Sequence, residues 1–256
     1  MTSRVLITGT NGVLGQATAA ALLREGHVII KHRGRVDGDL RDPAEVNRII
    51  GESAPSAVVN AAGQTYGNPS ELWDKNVLLP LRIGEALARR HTHTRLVLLS
   101  SAAVYGLRTA PGPAFREDEA PAPNSDYGWG KLAMERLVPL VHSRCVVARI
   151  FNIADADGDA RALLARVRSD YADGVTKPPG AGSVRDWLTA VDIGHALACL
   201  ATAKDPPTVL NVCSGAGRTA AEILGYPAPA PEPAWSIGDP GRMQAACPKW
   251  RPTPGA

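Results

Sequence analysis

Six short apolar segments recur along the chain without alternating polar residues. They lie at 4–9, 27–30, 56–63, 95–101, 145–151 and 208–214, and each is rich in Val, Leu or Ile. Such segments are typical of strands that are covered on both faces, as in a parallel sheet. Good helix formers lie between the early ones, at 14–26 and 76–90. This alternation predicts an α/β fold, a Rossmann-type doubly wound parallel sheet.

The pattern loosens after residue 151. Residues 162–174 and 190–204 predict two further helices, but ten of the 21 prolines follow residue 200, so the end of the chain is expected to be extended and irregular. We predict a Rossmann domain over 1–150. Residues 151–256 are expected to form mostly a small, discontinuous substrate-binding lobe, with residues from about 186 to 214 returning to the sheet.

A glycine turn follows the first strand directly and precedes an Ala-rich helix. Its residues are Gly9, Thr10, Asn11, Gly12, Val13, Leu14 and Gly15. Glycines let the backbone turn sharply and approach a pyrophosphate, which then lies at the helix N-terminus. Because strand, turn and helix occur in this order, the segment predicts a dinucleotide cofactor.

The loop after the second strand bears on which dinucleotide binds. A site that prefers NAD usually has an acidic residue here, which binds the ribose 2′-hydroxyl. This chain has cations instead, and they would attract the 2′-phosphate of NADP: Lys31, His32, Arg33 and Arg35. We therefore favour NADP (NADPH), with NAD as the alternative. Asp39 and Leu40 are expected beside the adenine, where Asp39 would accept from the amino group.

Seven motifs occur in a fixed order: TGTNGVLG, NAAG, SSAAVYG, YGWGK, RIFN, SVRDWLTAVDI and LNVCSG. With them the chain resembles the extended short-chain dehydrogenase/reductases, the NAD(P)-dependent epimerase/dehydratase family, over nearly its whole length. The resemblance implies that Ser101, Tyr127 and Lys131 are catalytic. It also implies a homodimer formed through helices 76–90 and 127–143, although the apolar stripes of these helices could equally pack within one chain. Trp129 could face the dimer interface or the mouth of the substrate site, and we favour the interface.

The resemblance further implies which residues face the ligands. To the glycine turn and the loop at 31–40 it adds these cofactor contacts: Ala61, Ala62, Gly63, Asn76, Ser100, Ile150, and Tyr127 and Lys131 themselves. The substrate is expected to face Ala102, Ala103, Asn152 and Arg185. In the family, the residue matching Arg185 commonly grips a nucleotide-sugar phosphate.

The spacing of Tyr127 and Lys131 supports an acid/base role on physical grounds. Residues at i and i+4 share a helix face, and a nearby ammonium should lower the pKa of a tyrosine from its ordinary value near 10. Tyr127 could then transfer a proton to or from a substrate oxygen. Ser101, at the end of its strand, could donate to the same oxygen. Asn124, Ser125 or Asp126 is expected to cap the helix.

Several reactions are compatible with these residues. Related dehydratases carry an acidic pair where this chain has Ala102 and Ala103, which disfavours dehydration. We favour NADP-dependent reduction of a keto group on a nucleotide sugar or a similar small molecule. The alternative is an NAD-dependent nucleotide-sugar epimerase working through a transient 4-keto intermediate. A non-catalytic NADP-binding sensor is a third reading, although such proteins often lose the Tyr or the Lys.

Composition argues against other classes. A net charge of +3 without a basic tail favours neither nucleic acid nor a membrane as a partner. No signal peptide or spanning segment is evident, so we expect a cytoplasmic protein. The four cysteines show no C-x-x-C spacing, and we expect them to be buried or free thiols, with no metal site and no disulfide.

Overall fold

The six apolar segments of the sequence form a parallel sheet, and four further short strands of the described residues lie outside it. The strands are β1 (Arg4–Thr8), β2 (Val28–His32), β3 (Ala57–Asn60), β4 (Arg95–Ser101), β5 (Cys145–Ile150), β6 (Asn152–Ile153), β7 (Val184–Leu188), β8 (Val209–Val212), β9 (Gly217–Thr219) and β10 (Trp235–Ser236). The computed structural model describes residues 2–155 and 162–253. Across these residues six parallel strands lie in the order β2-β1-β3-β4-β5-β8. The strand order reverses beside β1, where ligands bind in open sheets of this kind.

Helices cover both faces of this sheet. The helices of the described residues are α1 (Val13–Arg24), α2 (Pro43–Ser53), α3 (Pro69–Trp73), α4 (Leu79–Arg90), α5 (Asp126–Val141), α6 (Leu163–Ala172), α7 (Ala190–Thr202), α8 (Ala220–Ile223) and α9 (Gly241–Ala246). A π-helical turn, Asp74–Leu78, joins α3 to α4. The helices α1 and α7 pack on one face, and α2, α4 and α5 pack on the other. Within the described residues, none of the helices is both long and apolar enough to cross a bilayer.

The two covered faces explain why the strand segments are continuously apolar. In β4, Val97 and Leu99 belong to the core beneath α1 and α7. Their neighbours Leu96 and Leu98 belong to the core beneath α4 and α5. All four side chains are buried, because successive side chains of a strand point to opposite faces. The predicted Rossmann-type fold is confirmed.

The second, smaller sheet is built from the C-terminal part of the chain. Its strands lie in the order β10-β7-β6, and β9 pairs antiparallel with β7. Asp186 of β7 joins it to the end of β8, since its carboxylate accepts from the backbone N–H groups of Ser214 and Gly215 at 2.7 and 2.8 Å. Residues 186–188 thus lie in the smaller sheet, and the chain returns to the larger one through α7.

The helix α7 lies unusually close to α1. A Cβ atom added at Gly194 would lie 2.6 Å from the backbone of Ala17, a distance that side-chain atoms do not tolerate. Glycine at this position therefore lets the two helix backbones approach. Through this contact a helix from the C-terminal third becomes part of the layer that covers the larger sheet.

The expectation of four unpaired thiols is wrong for two of the cysteines. Cys199 of α7 and Cys247, directly after α9, form a disulfide, while Cys145 and Cys213 are buried free thiols. The two bonded residues are 48 positions apart, and no short spacing motif marks the pair. The bond fastens the C-terminal segment to α7.

Removing this disulfide should lower the free energy of unfolding. In the chain-entropy model, a cross-link over a loop of this length raises the free energy of the unfolded state by about 4 kcal/mol. We expect a reductant to lower the thermal midpoint of the wild type but not of the double variant Cys199→Ala/Cys247→Ala. Cys145→Ala, a matched control, should keep the response to reductant. Four free thiols in the non-reduced protein, measured by mass spectrometry after alkylation, would contradict the assignment.

Candidate active site

The hydroxyl groups of Ser101 and Tyr127 meet at the carboxyl edge of the larger sheet. Ser101 ends β4, and Tyr127 lies in the first turn of α5. The helix starts here because the Ser125 hydroxyl accepts from the backbone N–H of Gly128 at 3.1 Å, which satisfies an otherwise unpaired donor. Ser125 is therefore the cap among the three predicted residues. The Ser101 hydroxyl is close enough to the Tyr127 phenol to act on its pKa.

Glycine in the first turn of α5 is a packing requirement. A Cβ atom at Gly128 would lie 2.6 Å from the carbonyl oxygen of Ala103. Ala103 belongs to the 3₁₀ turn that directly follows Ser101. Glycine lowers the helix propensity by about 1 kcal/mol here, but it permits the close contact that brings Tyr127 to Ser101.

The structure corrects the expected acidity of Tyr127. Burial raises the pKa of Tyr127 to about 12, which outweighs the opposing effect of the Ser101 hydroxyl. The Nζ atom of Lys131 lies 5.6 Å from the centre of the Tyr127 ring. The expectation that the ammonium lowers this pKa is wrong for the protein without ligand, in which Tyr127 is a neutral phenol.

Lys131 is buried and anchored to the main chain of β4. Its Nζ donates to the carbonyl oxygen of Leu99 at 2.7 Å. Burial lowers the pKa of Lys131 to about 8, and the nearby Glu135 carboxylate partly opposes this. A Cβ atom at Gly63 would lie 3.5 Å from the same nitrogen, so the lysine reaches the loop after β3. It can change its charge near neutral pH.

A buried polar network supports the helix beneath these residues. The Glu135 carboxylate accepts from Nη2 of Arg149 at 2.7 Å and from the hydroxyl of Ser100. Arg149 also donates to the Tyr105 hydroxyl at 2.8 Å. Ser100, predicted to contact the cofactor, therefore points to the opposite face of the sheet from Ser101. Its contact is with α5.

A cavity of about 520 Å³ opens beside the glycine turn. It brings together half of the predicted cofactor contacts: Gly9, Asn11, Gly12, Arg33, Arg35, Asp39, Leu40, Ala61, Ala62 and Gly63. Asn76 is not among the residues that line this cavity. Its side chain accepts from the backbone N–H of Gln64 at 3.1 Å and donates to the carbonyl oxygen of Gln64 at 2.7 Å. Leu14 packs against the core beneath α1, and Ile150 lines a different cavity.

The glycine turn fits a diphosphate. Gly9 has φ +72°, and a Cβ there would lie 2.6 Å from the nitrogen of Ala62. A Cβ at Gly15 would lie 2.4 Å from the oxygen of Gly9. Gly12 caps α1 without a side chain, which leaves the first N–H groups open to an anion. Among the described residues, the buried hydroxyl of Thr10 has no hydrogen-bond partner.

The cations of the loop at 31–40 are divided rather than clustered. Arg33 and Arg35 line the cofactor cavity, whereas Lys31 lies on a separate one with Arg48. His32 is buried and does not reach the cavity. Of the four predicted cations, Arg33 and Arg35 therefore line the cofactor cavity, whereas Lys31 and His32 line the other one.

Carboxylates partly neutralise these arginines. Arg33 pairs with Asp37 at 2.6 Å, and this holds the pKa of Asp37 down at about 2. Asp39 lines the cavity, but Arg41 binds it at 2.5 Å and holds its pKa far below the ordinary value. Its carboxylate is thus engaged by a guanidinium, and acceptance from an adenine amino group would compete with that pairing.

A second cavity, of about 220 Å³, opens at Ser101. It gathers the predicted substrate residues Ala102, Ala103, Asn152 and Arg185. The Nε atom of Arg185 is buried and unpaired among the described residues, and burial lowers the pKa of this guanidinium. A buried donor without a partner is costly, and because Arg185 also lines this cavity, it is a candidate contact for an anionic ligand.

Sequence reasoning missed several lining residues. Arg41 and Lys75 add positive charge to the cofactor cavity, and Arg41 could have been identified as a cation beside Asp39. Leu107 and Phe151 form apolar parts of the second cavity. Ser236 reaches it from β10, and no motif in the sequence signals that this distant segment folds back.

Comparison with known proteins gives consistent relatives. A dTDP-6-deoxy-L-talose 4-dehydrogenase (NAD(P)(+)) from Kitasatospora kifunensis is 29% identical over 248 residues, which cover 87% of this chain and 77% of the relative. A GDP-6-deoxy-D-mannose reductase from Pseudomonas aeruginosa is 28% identical over 96% of this chain and 86% of its own length. A UDP-glucose 4-epimerase from Corynebacterium glutamicum is 26% identical over 96% of this chain and 88% of its own length.

Solved structures share the fold. RMD from Pseudomonas aeruginosa, complexed with NADPH, superposes with a TM-score of 0.80 at 25% identity over 99% of this chain and 93% of that one. WbmG from Bordetella bronchiseptica, in complex with NAD and UDP, has a TM-score of 0.80 at 22% identity over 99% and 91% of the two chains.

The model of one family, described as NAD dependent epimerase/dehydratase, matches residues 5–213. This span includes the glycine turn, the loop at 31–40 and the pair of Ser101 and Tyr127. The protein is therefore a member of the NAD dependent epimerase/dehydratase family, whose enzymes are NAD(P)-dependent oxidoreductases and epimerases of the extended short-chain dehydrogenase/reductase type.

Proposed function

We propose that the protein is an NADPH-dependent ketoreductase acting on a keto group of a nucleotide sugar. The proposal rests on one observation. The Ser101 hydroxyl, which lines the second cavity, acts to lower the pKa of the neighbouring Tyr127 phenol, and the buried Lys131 follows Tyr127 by one turn of α5. A hydroxyl pair in this position can receive a carbonyl oxygen from the substrate.

Tyr127 is the proposed proton donor. With its pKa raised to about 12, the phenol keeps its proton at neutral pH until a carbonyl oxygen gains negative charge beside it. Ser101 donates to the same oxygen and holds it in line with the phenol. The nicotinamide supplies the hydride when bound. The charged form of Lys131 stabilises the phenolate that remains after the proton has left.

Arg185 is the proposed contact for the substrate phosphates. Arg185 is half-buried and lines the cavity that contains Ser101, and arginine binds phosphate oxygens through paired N–H groups. The cavity volume of about 220 Å³ lies below the range of about 300–1,000 Å³ for whole small-molecule pockets. A sugar ring suits it, and the nucleoside would extend beyond Arg185. Several relatives are named for nucleotide sugars.

NADPH is the proposed cofactor because the site lacks a free carboxylate at the end of β2. Three arginines, Arg33, Arg35 and Arg41, line the cavity with one aspartate, Asp39. Arg35 is mostly exposed and lies 3.8 Å from Asp39, a loose pairing. It is thus the arginine most open to a 2′-phosphate. The structurally similar RMD is complexed with NADPH.

An NAD-dependent 4-epimerase is the second candidate. The pairing of Arg33 with Asp37 and of Arg41 with Asp39 weakens the positive field, and UDP-glucose 4-epimerases are among the relatives. One experiment separates the two. NADPH consumption, followed by its near-ultraviolet absorbance, is measured with a panel of 4-keto nucleotide sugars. Turnover supports the ketoreductase, whereas interconversion of UDP-glucose and UDP-galactose without added cofactor supports the epimerase.

We further propose a homodimer through α4 and α5. The exposed apolar side chains Trp129 and Leu140 lie on α5, 57% and 81% exposed, and Trp73 ends α3, directly before the π-helical turn that leads into α4. Such exposure is typical of an interface. A second copy of the chain would cover these side chains.

Replacing Tyr127 by Phe should abolish reduction while leaving cofactor binding intact. The change removes the proton donor, and general acid catalysis contributes about 10²–10⁴-fold. We expect a loss of that size in kcat, and NADPH affinity within about threefold of the wild type. Tyr171→Phe is the matched control, since Tyr171 stacks on Tyr226 away from the site. Turnover by Tyr127→Phe within about tenfold of the wild type would refute the assignment.

The rate of reduction should fall as the pH rises through about 8. Lys131 has a pKa lowered to about 8, so it is charged below this pH and loses its charge above it. Tyr127, with a pKa raised to about 12, stays protonated throughout. We expect kcat/KM for the keto substrate to decline above pH 8. In Lys131→Arg, which stays charged, the decline should disappear. A decline that persists in this variant would place its origin elsewhere.

Replacing Arg35 by Ser should weaken NADPH selectively. A hydrogen bond to a charged group contributes about 1.5–3 kcal/mol, so the Kd for NADPH should rise about tenfold or more, with little change for NADH. Arg116→Ser is the control, because Arg116 is similarly exposed and pairs with Asp118 and Asp239. Equal losses for both cofactors, measured by titration calorimetry, would exclude contact with the 2′-phosphate.

A further inference from the structure

His32 is a buried side chain that contacts the cofactor loop from within. It ends β2 and is 2% exposed. Its imidazole makes two contacts with the next few residues: Nε2 lies 3.1 Å from the carbonyl oxygen of Gly38, and Nδ1 lies 3.3 Å from the backbone nitrogen of Gly34. Its own carbonyl oxygen accepts from the N–H of Thr10 at 3.2 Å. One residue therefore joins the glycine turn to both ends of the loop.

The two imidazole contacts require one protonation state. A carbonyl oxygen only accepts and a backbone N–H only donates, so Nε2 must carry the hydrogen and Nδ1 must be bare. The neutral Nε2–H tautomer meets both needs at once. Burial lowers the pKa of His32, and the charge of Arg48 acts in the same direction, while Asp37 opposes them. A neutral imidazole is thus consistent with its surroundings.

The loop needs such a clamp because the regular structure of its backbone is limited to one 3₁₀ turn, Gly34–Val36. Gly34 and Gly38 have φ values of +78° and +128°, and glycines lose the most conformational freedom on ordering. On the outer side, the N–H of Arg33 donates to Asp37 at 2.7 Å. Asn11 of the glycine turn donates to the carbonyl oxygen of Arg33 at 3.0 Å. His32 closes the same turn from the inner side.

We propose that His32 is a positioning residue for cofactor selectivity: by clamping Gly34 and Gly38 it holds Arg33 and Arg35 at the cavity wall, where the 2′-phosphate of NADP is bound. The role rests on the proposed use of NADPH. Arg33, Gly34 and Arg35 line the cavity, whereas the imidazole lies behind them and contacts only the loop backbone among the bonds described above. His32 thus acts through the arginines rather than on the ligand.

The test compares His32→Phe, which fills the space without either nitrogen, with His32→Gln, whose amide can donate and accept. His142→Phe is the matched control. His142 is 3% exposed, and its Nε2 lies 2.7 Å from the carbonyl oxygen of Thr94, at the opposite end of β4. We expect His32→Phe to raise the Kd for NADPH about tenfold, with less than about threefold change for NADH. Its KM for NADPH should rise more than kcat falls.

His32→Gln should recover part of the NADPH affinity. His142→Phe should lower the thermal midpoint while leaving both dissociation constants near the wild-type values. Equal losses for NADPH and NADH in His32→Phe, or the same selective loss in His142→Phe, would overturn the proposal. Either result would mean that His32 only stabilises the fold.

Hydrogen exchange separates this inference from the cofactor assignment. Without cofactor, the amides of residues 33–38 should exchange faster in His32→Phe than in the wild type, and unchanged exchange would overturn the clamp. A wild type that binds NADH as tightly as NADPH would overturn the NADPH assignment and the selectivity role together. Faster exchange in that case would still support the clamp itself.

Discussion

The buried ion pair between Glu135 and Arg149 determines how α5 lies on the larger sheet. Both side chains are almost fully enclosed, and removing one partner of such a pair typically costs about 3–5 kcal/mol. Glu135 is two helical turns beyond Tyr127 and one beyond Lys131, on the same face. Because Glu135 is held against β4 and β5, the position and rotation of the part of α5 that carries Tyr127 and Lys131 are fixed as well. The polar side chains of the site depend on this contact below them.

Much of this arrangement could be predicted from the sequence because it depends on local patterns. The strand segments, the glycine turn and the spacing of Tyr127 and Lys131 each follow from the residues within one element. The fold class and family membership are confirmed on that basis. The meeting of Ser101 and Tyr127 was implied by resemblance alone, since no local rule joins a strand end to a distant helix start.

The failures share a different cause, which is the direction and pairing of side chains. The composition of the loop at 31–40 shows four cations, but not that His32 turns inward or that Asp37 neutralises Arg33. The pKa of Tyr127 follows from desolvation, which spacing along a helix does not measure. The disulfide joins residues from α7 and the C-terminal segment, and only the folded chain brings them together.

The anchor of Lys131 is a main-chain carbonyl, that of Leu99. Every amino acid supplies the same carbonyl, so substitutions at position 99 that preserve the path of β4 leave this hydrogen bond in place. The position of the Lys131 ammonium is thus set by the backbone of β4 rather than by a partner side chain. Relatives could carry any apolar side chain that fits the core at this position and still hold the lysine in the same place, and an alignment would show no trace of the hydrogen bond.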